Sequence, residues 1–359
     1  MKPITISLCM IVRNEEPVLG RCLDSVKDIA DEIVVVDTGS DDHTRKVAGQ
    51  HTERVYDFPW VDDFAAARNF SFSLATQDYI LWLDADDVIL EADRVKLLAL
   101  KSALDVDSVT MPYHLAHDEN GRVTLSLRRN RLVRRSRNFR WVGAVHEYLD
   151  VKGCIINSGI AVTHLPLKHH SDRNLCIYES RLARGESLSP RDLYYYANEL
   201  MDHGQPEKAV TYFHRFLATG QGWVEDNIAA CGRLADYYLS VNDDENYLAH
   251  SFKSFTYDTP RAEFCCRLGY HFLQQNQLPQ AIFWYKLATQ LENTEDCWGL
   301  VNHACWTWLP HLQLCVCYYR AGDLMLAARH NEMAAAFVPD HPSVLHNRQF
   351  FREIRFFEP

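Results

Sequence analysis

The first third of the chain alternates short, wholly apolar runs with segments whose apolar residues recur at helical spacing. Ile4–Val12 is rich in β-branched residues and reads as a strand, and Pro17–Val26 follows as an amphipathic helix. Ile33–Val36 is apolar at every position, as expected for a strand buried on both faces. Ser40–Gln50 opens with helix-start residues, Ala65–Ala75 repeats the helical spacing, and Tyr79–Leu83 reads as a further buried strand. Strands separated by helices predict a mostly parallel α/β sheet of Rossmann-like type. From residue 108 the pattern becomes irregular, with strands expected at Ser108–Leu115, Val123–Leu127, Asn130–Val133 and Ile155–Leu165.

From Asn174 onward the pattern is helical throughout, with a helix expected at Asn174–Arg184. Two stretches align position by position: Ala197, Leu200, Gly204, Ala209 and Phe213 fall on Gly269, Phe272, Asn276, Ala281 and Tyr285. A third copy runs through Cys315, Tyr318, Gly322, Ala327, Asn331, Ala334 and Pro339. A weaker copy, stretched by two residues, places Ala235, Tyr238 and Ala249 equivalently. Small residues where helices cross and large ones in the gaps resemble the tetratricopeptide repeat. The expected division is therefore an α/β domain at 1–175 and an all-α repeat domain at 176–359. A fragment ending near residue 185 is expected to keep the chemistry of the α/β domain.

Composition narrows the function. The formal net charge is −11, which argues against a nucleic-acid or anionic-membrane binder. Eight arginines crowd residues 122–140: Arg122, Arg128, Arg129, Arg131, Arg134, Arg135, Arg137 and Arg140. They read mostly as strand residues paired with acids, with Arg131 and Arg140 as candidates for a rim around an anionic ligand. Eleven cysteines without any C-x-x-C spacing read as reduced, mostly buried thiols of a cytoplasmic protein. The N-terminal apolar run is too short for a signal-peptide core, and no apolar stretch is long enough to span a membrane.

In an open parallel sheet, ligands sit beyond the carboxyl ends of the strands. Three successive strands end there in Arg13–Asn14–Glu15, in Asp37–Thr38–Gly39–Ser40–Asp41 and in Asp84–Ala85–Asp86–Asp87. Clustered carboxylates repel unless a cation neutralises them, and hard oxygen ligands suit Mg²⁺ or Mn²⁺ beside a phosphate. The competing reading makes Asp86 or Asp87 the cap of a helix at Val88–Leu100.

"SLCMIVRNEEPVLGRCLDSV", "DEIVVVDTGSDDHT" and "ATQDYILWLDADD" resemble the nucleotide-sugar half of family 2 glycosyltransferases, which have the GT-A fold. "FAAARNFS", "RWVGAVHEYL" and "VTHLPLKHHSDRNLCIYE" are similar to later segments of one branch, some members of which carry tetratricopeptide repeats. The resemblance implies a metal-dependent, inverting transferase with a nucleoside-diphosphate sugar donor, UDP-linked in the leading reading, and Mn²⁺ or Mg²⁺ as cofactor. It implies that Asp37 meets the base, that Arg13, Asn14 and Glu15 line the nucleotide site, and that Asp84 and Asp86 form the D-x-D pair. Asp84 would meet the ribose or a metal-bound water and Asp86 the metal. Arg68 would face the diphosphate, or else form a helix-surface salt bridge. His164 would add a metal ligand, a role His146 could fill instead.

Glu147 is the candidate base, in a position where many members have an E-D pair and this chain has His146–Glu147; His146 and Asp118 are the alternatives. His169 and His170 read as loop residues. The repeats would hold a peptide or protein acceptor or form a homodimer. A cell-surface glycan or lipid-linked acceptor is the alternative, and a repeat scaffold with an inactive nucleotide-sugar domain is the alternative of another class. A sugar nucleotidyltransferase would need a glycine-rich, lysine-containing loop after the first strand, and Arg13–Asn14–Glu15–Glu16 is not one.

Overall fold

The structure is a computed structural model that describes residues 3–102, 104–167, 171–292 and 297–354. Its contacts divide the chain into two compact units, Met1–Tyr212 and Phe213–Pro359. His169 and His170 lie outside the described residues.

The first unit opens with β1 (Ile6–Val12), α1 (Glu16–Ser25), β2 (Glu32–Asp37), α2 (Thr44–Gly49), β3 (Val55–Asp57), α3 (Phe64–Ser73) and β4 (Tyr79–Trp82). It continues through β5 (Asp87–Val88), α4 (Glu91–Lys101), β6 (Ser108–His117), β7 (Val123–Arg134), β8 (Arg140–Val142), β9 (Tyr148–Asp150), β10 (Ile155–Asn157) and β11 (Val162–His164). The main sheet runs β3-β2-β1-β4-β7-β6-β11-β5, with β10 also on β6. The β3, β2, β1 and β4 strands are mutually parallel, and β7 adds antiparallel to β4. This is the mostly parallel α/β sheet that the alternating pattern predicts. Separate apolar clusters cover its two faces: one contains Leu19, Leu23 and Leu97, the other Trp82 and Trp141. Double-sided burial explains why Val34, Val35 and Val36 are all fully buried.

Two strand expectations need correction. Val123–Leu127 and Asn130–Val133 are one strand, β7, whose arginines are accommodated along a long hairpin with β6. Ile155–Leu165 is two strands, because the chain breaks pairing at 158–161 before rejoining β6 as β11. All eleven cysteines are free, and most are buried.

Helices follow: α5 (Arg173–Ala183), α6 (Pro190–Asp202), α7 (Pro206–Ala218), α8 (Val224–Ser240), α9 (Asp244–Lys253), α10 (Ala262–Gln274) and α11 (Leu278–Gln290). A short α12 (His303–Trp306) precedes α13 (Trp308–Arg320), α14 (Leu324–Ala335) and α15 (Pro342–Glu353). Past residue 174 the described chain is helical except for a two-residue strand at Val301–Asn302; contacts divide later than that change of texture, so α5, α6 and the start of α7 pack with the sheet unit.

The repeat geometry recurs locally four times. Gly204, Asn242, Asn276 and Gly322 all take left-handed backbone between paired helices. After each, the next amide reaches back to a carbonyl five residues earlier, as in Gln205 N to Leu200 O and Asp323 N to Tyr318 O, which closes the preceding helix in a Schellman turn. These turns also correct the weak copy, which is not stretched. Its second helix places Tyr247 where Ala209, Ala281 and Ala327 sit, and all four are fully buried, whereas Ala249 is exposed. One turn later Ser251, also fully buried, replaces Phe213 and Tyr285, so bulk lost at one position is regained at the other.

Gly269 shows how closely such helices cross. A Cβ there would lie 2.8 Å from ring atoms of Tyr285, which is itself buried. Gly269→Ala is expected to cost about 1–3 kcal/mol by overpacking, read by urea denaturation, with Tyr285→Leu recovering part of the loss. An unchanged midpoint would show that α10 and α11 separate freely.

Candidate active site

The carboxyl ends of β1, β2 and β4 meet, as the sequence pattern requires. The loop after β1 is braced to the loop after β2: Asn14 N donates to Ser40 Oγ (3.0 Å), Asp41 N to Asn14 Oδ1 (2.9 Å) and Glu15 N to Thr44 Oγ1 (2.7 Å). Asn14 takes a positive φ of 56° to make these contacts. Asp37 is 2% exposed. Its Oδ1 accepts from the amides of Gly39 (2.7 Å) and Ser40 (2.8 Å), while buried Oδ2 has no hydrogen-bond partner among the described residues. Arg13 is exposed at the mouth of this loop.

After β4 the acidic turn runs Asp84–Asp87. Neither Asp86 nor Asp87 caps a helix: α4 begins at Glu91 behind Leu90, which makes no side-chain cap. Asp87 instead belongs to β5, which pairs antiparallel with β11 and brings His164 opposite Asp87. Oxygen or nitrogen atoms of Asp86, Asp87 and His164 lie within 4.8 Å of one another. His164 Nδ1 stands 3.4 Å from Asp86 Oδ1, 3.5 Å from Asp87 Oδ1 and 2.8 Å from Tyr113 Oη. Burial alone would push this imidazole down, but hydrogen bonds to Asp86 and Asp87 outweigh it and hold His164 up at about 9. Nearby, burial first and then the charges of Asp86 and Asp84 push Glu15 up to about 7. Crowded carboxylates with one imidazole form a donor set that fits a hard or borderline divalent cation such as Mn²⁺ or Mg²⁺.

Two arginines hold the rest of this negative charge. Arg131 and Asp87 are both fully buried, with Nη1 to Oδ2 at 3.0 Å. The same Oδ2 accepts from Asp84 N (3.0 Å), so the ion pair fixes the turn backbone. The Arg131 guanidinium lies 3.9 Å from the Trp82 ring centroid and 4.4 Å from that of Tyr113. It reaches this position from a β-bulge: register shifts between Val109/Leu132 and Thr110/Asn130, leaving Arg131 unpaired between them. Arg131 is therefore an internal counter-ion, and the rim expectation for it fails. Arg140 is exposed and lines a different hollow with Asn138 and Lys152. Of the other arginines, Arg134 and Arg137 pair with Asp105 and Asp107, and Arg122 with Asp118.

Arg68, on α3, is the second internal cation and is 8% exposed. Its Nη2 donates to Asp84 Oδ1 (2.6 Å) and its Nε to Glu147 Oε1 (2.5 Å). Its guanidinium lies 4.9 Å from the ring centroid of Trp82 and 4.8 Å from that of Trp141. Burial opposes its charge, yet Asp84 and Glu147 raise its pKa above the ordinary arginine value, and it in turn holds Asp84 well below the usual carboxylate range. The helix-surface salt bridge does not describe this residue, which is buried and bridges two carboxylates through Nε and Nη2.

Glu147 stands at the tip of the β8–β9 hairpin, whose strands pair from Arg140 to Val142 and leave residues 143–147 as the loop. His146 precedes it and turns to α6, where Nε2 is 2.7 Å from Glu199 Oε1. His146 is thus outside the Asp86–Asp87–His164 group. Asp118 sits in the β6–β7 turn, where Oδ1 accepts from the amides of Asn120 and Arg122 (2.9 and 2.8 Å). Sequence reasoning missed Asp87 as a group member, Arg131 as its counter-ion, and Glu199. An arginine inside an apolar strand (N-R-L-V) was the available signal for the second; Glu199 had none, because its helix read as part of the repeats.

Residues 7–155 match the sequence profile described as Glycosyl transferase family 2. A TPR repeat-containing protein of Synechococcus elongatus is 43% identical over 148 residues, 40% of this chain and 35% of that protein. The SPbeta prophage-derived glycosyltransferase SunS of Bacillus subtilis is 27% identical over 237 residues, 59% of this chain and 53% of that protein. The chain thus spans about a third to a half of the length of these relatives. A glucosyl-3-phosphoglycerate synthase from Mycobacterium tuberculosis, solved with Mn²⁺ and uridine-diphosphate-glucose, is 15% identical at a TM-score of 0.36, covering 52% of this chain and 82% of that one.

Removing one member of a buried ion pair strands the other. Arg131→Met is expected to cost about 3–5 kcal/mol by chemical denaturation, and Arg131→Met with Asp87→Asn to recover part of it. A loss under about 1 kcal/mol for the single variant would mean Asp87 does not need its counter-ion.

Proposed function

We propose, for a chain whose residues 7–155 belong to glycosyl transferase family 2, that it transfers a sugar from a nucleoside-diphosphate donor, UDP-linked, to a peptide or protein acceptor. The observation that carries this reading is the convergence of Asp86, Asp87 and His164 on one point at the end of β4, beside the loops of Asn14 and Asp37. The buried, unsatisfied Oδ2 of Asp37 suits the imide N–H of uracil. Arg13, Asn14 and Glu15 line the nucleotide, and Asp84, fixed by Arg68, faces the ribose side. Asp86 and His164 would hold Mn²⁺ or Mg²⁺, which offsets charge on the departing diphosphate. The His146–Glu147 hairpin tip takes the acceptor side, and inversion requires a proton acceptor there and no enzymatic nucleophile.

The peptide or protein acceptor is supported by the helix pairs, which leave large apolar side chains such as Trp223, Phe283 and Tyr319 exposed at 46%, 58% and 49%. Repeat arrays of this kind hold extended chains. Homodimerisation through the same helices is the second use open to them.

Thermal shift with UDP, UDP-glucose and UDP-N-acetylglucosamine, each with Mn²⁺, tests the donor assignment. A ligand at 100 times its dissociation constant stabilises by about 2.7 kcal/mol. Asp86→Asn keeps shape but removes a charged ligand, so donor turnover is expected to fall about 100-fold or more with folding intact. Near-normal turnover in that variant would refute the metal role of Asp86.

A further inference from the structure

Six non-glycine residues take positive φ among the described residues, and five are Asn or Asp; the sixth is His146, at 50°. Asparagine, aspartate and histidine are the side chains enriched in that conformation, so the backbone of His146 is uncommon but admissible, and what marks the residue is what its side chain and carbonyl touch. The contacts here come from α5 and α6. His146 Nε2 is 2.7 Å from Glu199 Oε1, and its ring stacks on Tyr195 at 4.3 Å and 15°. The His146 carbonyl accepts from Arg191 Nε (3.1 Å), and Asn174 Nδ2 donates to Glu199 Oε1 (3.0 Å). Burial opposes charge on Glu199, but the hydrogen bonds from His146 and Asn174 hold its carboxyl below the usual range.

The neighbouring side chain is differently engaged. The Glu147 side chain is 9% exposed and bound to Arg68, against 33% for His146. Protonating Glu147 would take one of two counter-charges from a buried guanidinium, a costly change.

Resting on the transferase reading above, we propose that His146 is the proton acceptor on the acceptor side and that Glu199 is its positioning residue. Glu199 fixes the proton of the neutral ring on Nε2, leaving the lone pair on Nδ1, the carboxylate–histidine logic of general-base catalysis. In the step, the acceptor heteroatom bonds to the anomeric carbon and its proton passes to Nδ1. The bond from that carbon to the diphosphate oxygen breaks, and its electron pair leaves with the nucleoside diphosphate. Glu147 stays paired with Arg68. Glu199, Arg191 and Tyr195 all lie beyond residue 185, so a fragment ending there lacks this support.

The test uses the full chain with Mn²⁺ and UDP-glucose or UDP-N-acetylglucosamine, water serving as acceptor, alongside ¹⁵N NMR of histidine-labelled protein with His146 assigned by His146→Asn. His146→Asn, which suits the left-handed backbone, is expected to lower kcat by about 10²–10⁴ with donor KM within twofold. Glu199→Ala is expected to lower kcat at least tenfold, again with donor KM unchanged, and to abolish the Nε2–H tautomer seen in wild type. Glu199→Gln, which still offers an oxygen to Nε2–H, is expected to restore tautomer and part of the rate. An unchanged tautomer and rate in Glu199→Ala, or full activity in His146→Asn with none in Glu147→Gln, would overturn the assignment. Wild-type protein that binds no UDP–Mn²⁺ would instead overturn the donor reading, and the tautomer comparison would still decide the role of Glu199.

Discussion

Everything at the carboxyl edge of this sheet depends on how a dense set of carboxylates is kept in place. Asp84, Asp86, Asp87, Glu15 and Glu147 would repel one another if left alone. Two buried guanidiniums prevent that. Arg131 neutralises Asp87, whose Oδ2 also accepts from the amide of Asp84. Arg68 bridges Asp84 and Glu147. Both lie on the Trp82 ring, so the aromatic core beneath the sheet edge supports the cations that support the acids. A buried charge is tolerable only when paired and well packed, and this arrangement supplies both conditions.

The pairing also sorts the acids by role. Asp87 and Asp84 are each paired with an arginine, whereas Asp86 meets His164 at 3.4 Å. Glu15 is pushed up by burial first and then by Asp86 and Asp84, so part of the charge at this edge stays unbalanced by the arginines. That residual is what a divalent cation would take up. On the opposite side of Arg68, Glu147 is held and His146 is turned away to Glu199, so the hairpin tip divides into a charge-balancing residue and a more exposed imidazole. The helices after the sheet thereby enter the chemistry of the first unit, although their sequence texture belongs with the repeats.

How much of this was legible in the sequence follows from range. Buried strands announce themselves by local composition, so Ile6–Val12, Glu32–Asp37 and Tyr79–Trp82 were found within a residue or two. The acids at their ends were found because parallel topology fixes where strand ends meet. His164 was legible as a late histidine after a strand and does reach Asp86. What escaped depends on non-local pairing. Asp87 looks like a helix cap until β5 is paired with β11, and Arg131 looks like a surface residue until the bulge turns it inward. Glu199 looks like any helix carboxylate until α6 packs beside the hairpin. In the repeats, the weak copy was stretched to bring a small residue, Ala249, to the crossing, whereas the fold puts Tyr247 there and keeps volume by placing Ser251 one turn later.

The central claim is that Asp86 and His164 hold a divalent cation at a nucleotide site. Mn²⁺ titration of the full chain followed by electron paramagnetic resonance, with and without UDP, measures this without any acceptor. The account predicts one bound Mn²⁺ per chain, tightened by UDP, and its loss in His164→Ala while the protein stays folded. Mn²⁺ binding that is absent from the wild type, indifferent to UDP, or unchanged by His164→Ala would contradict it.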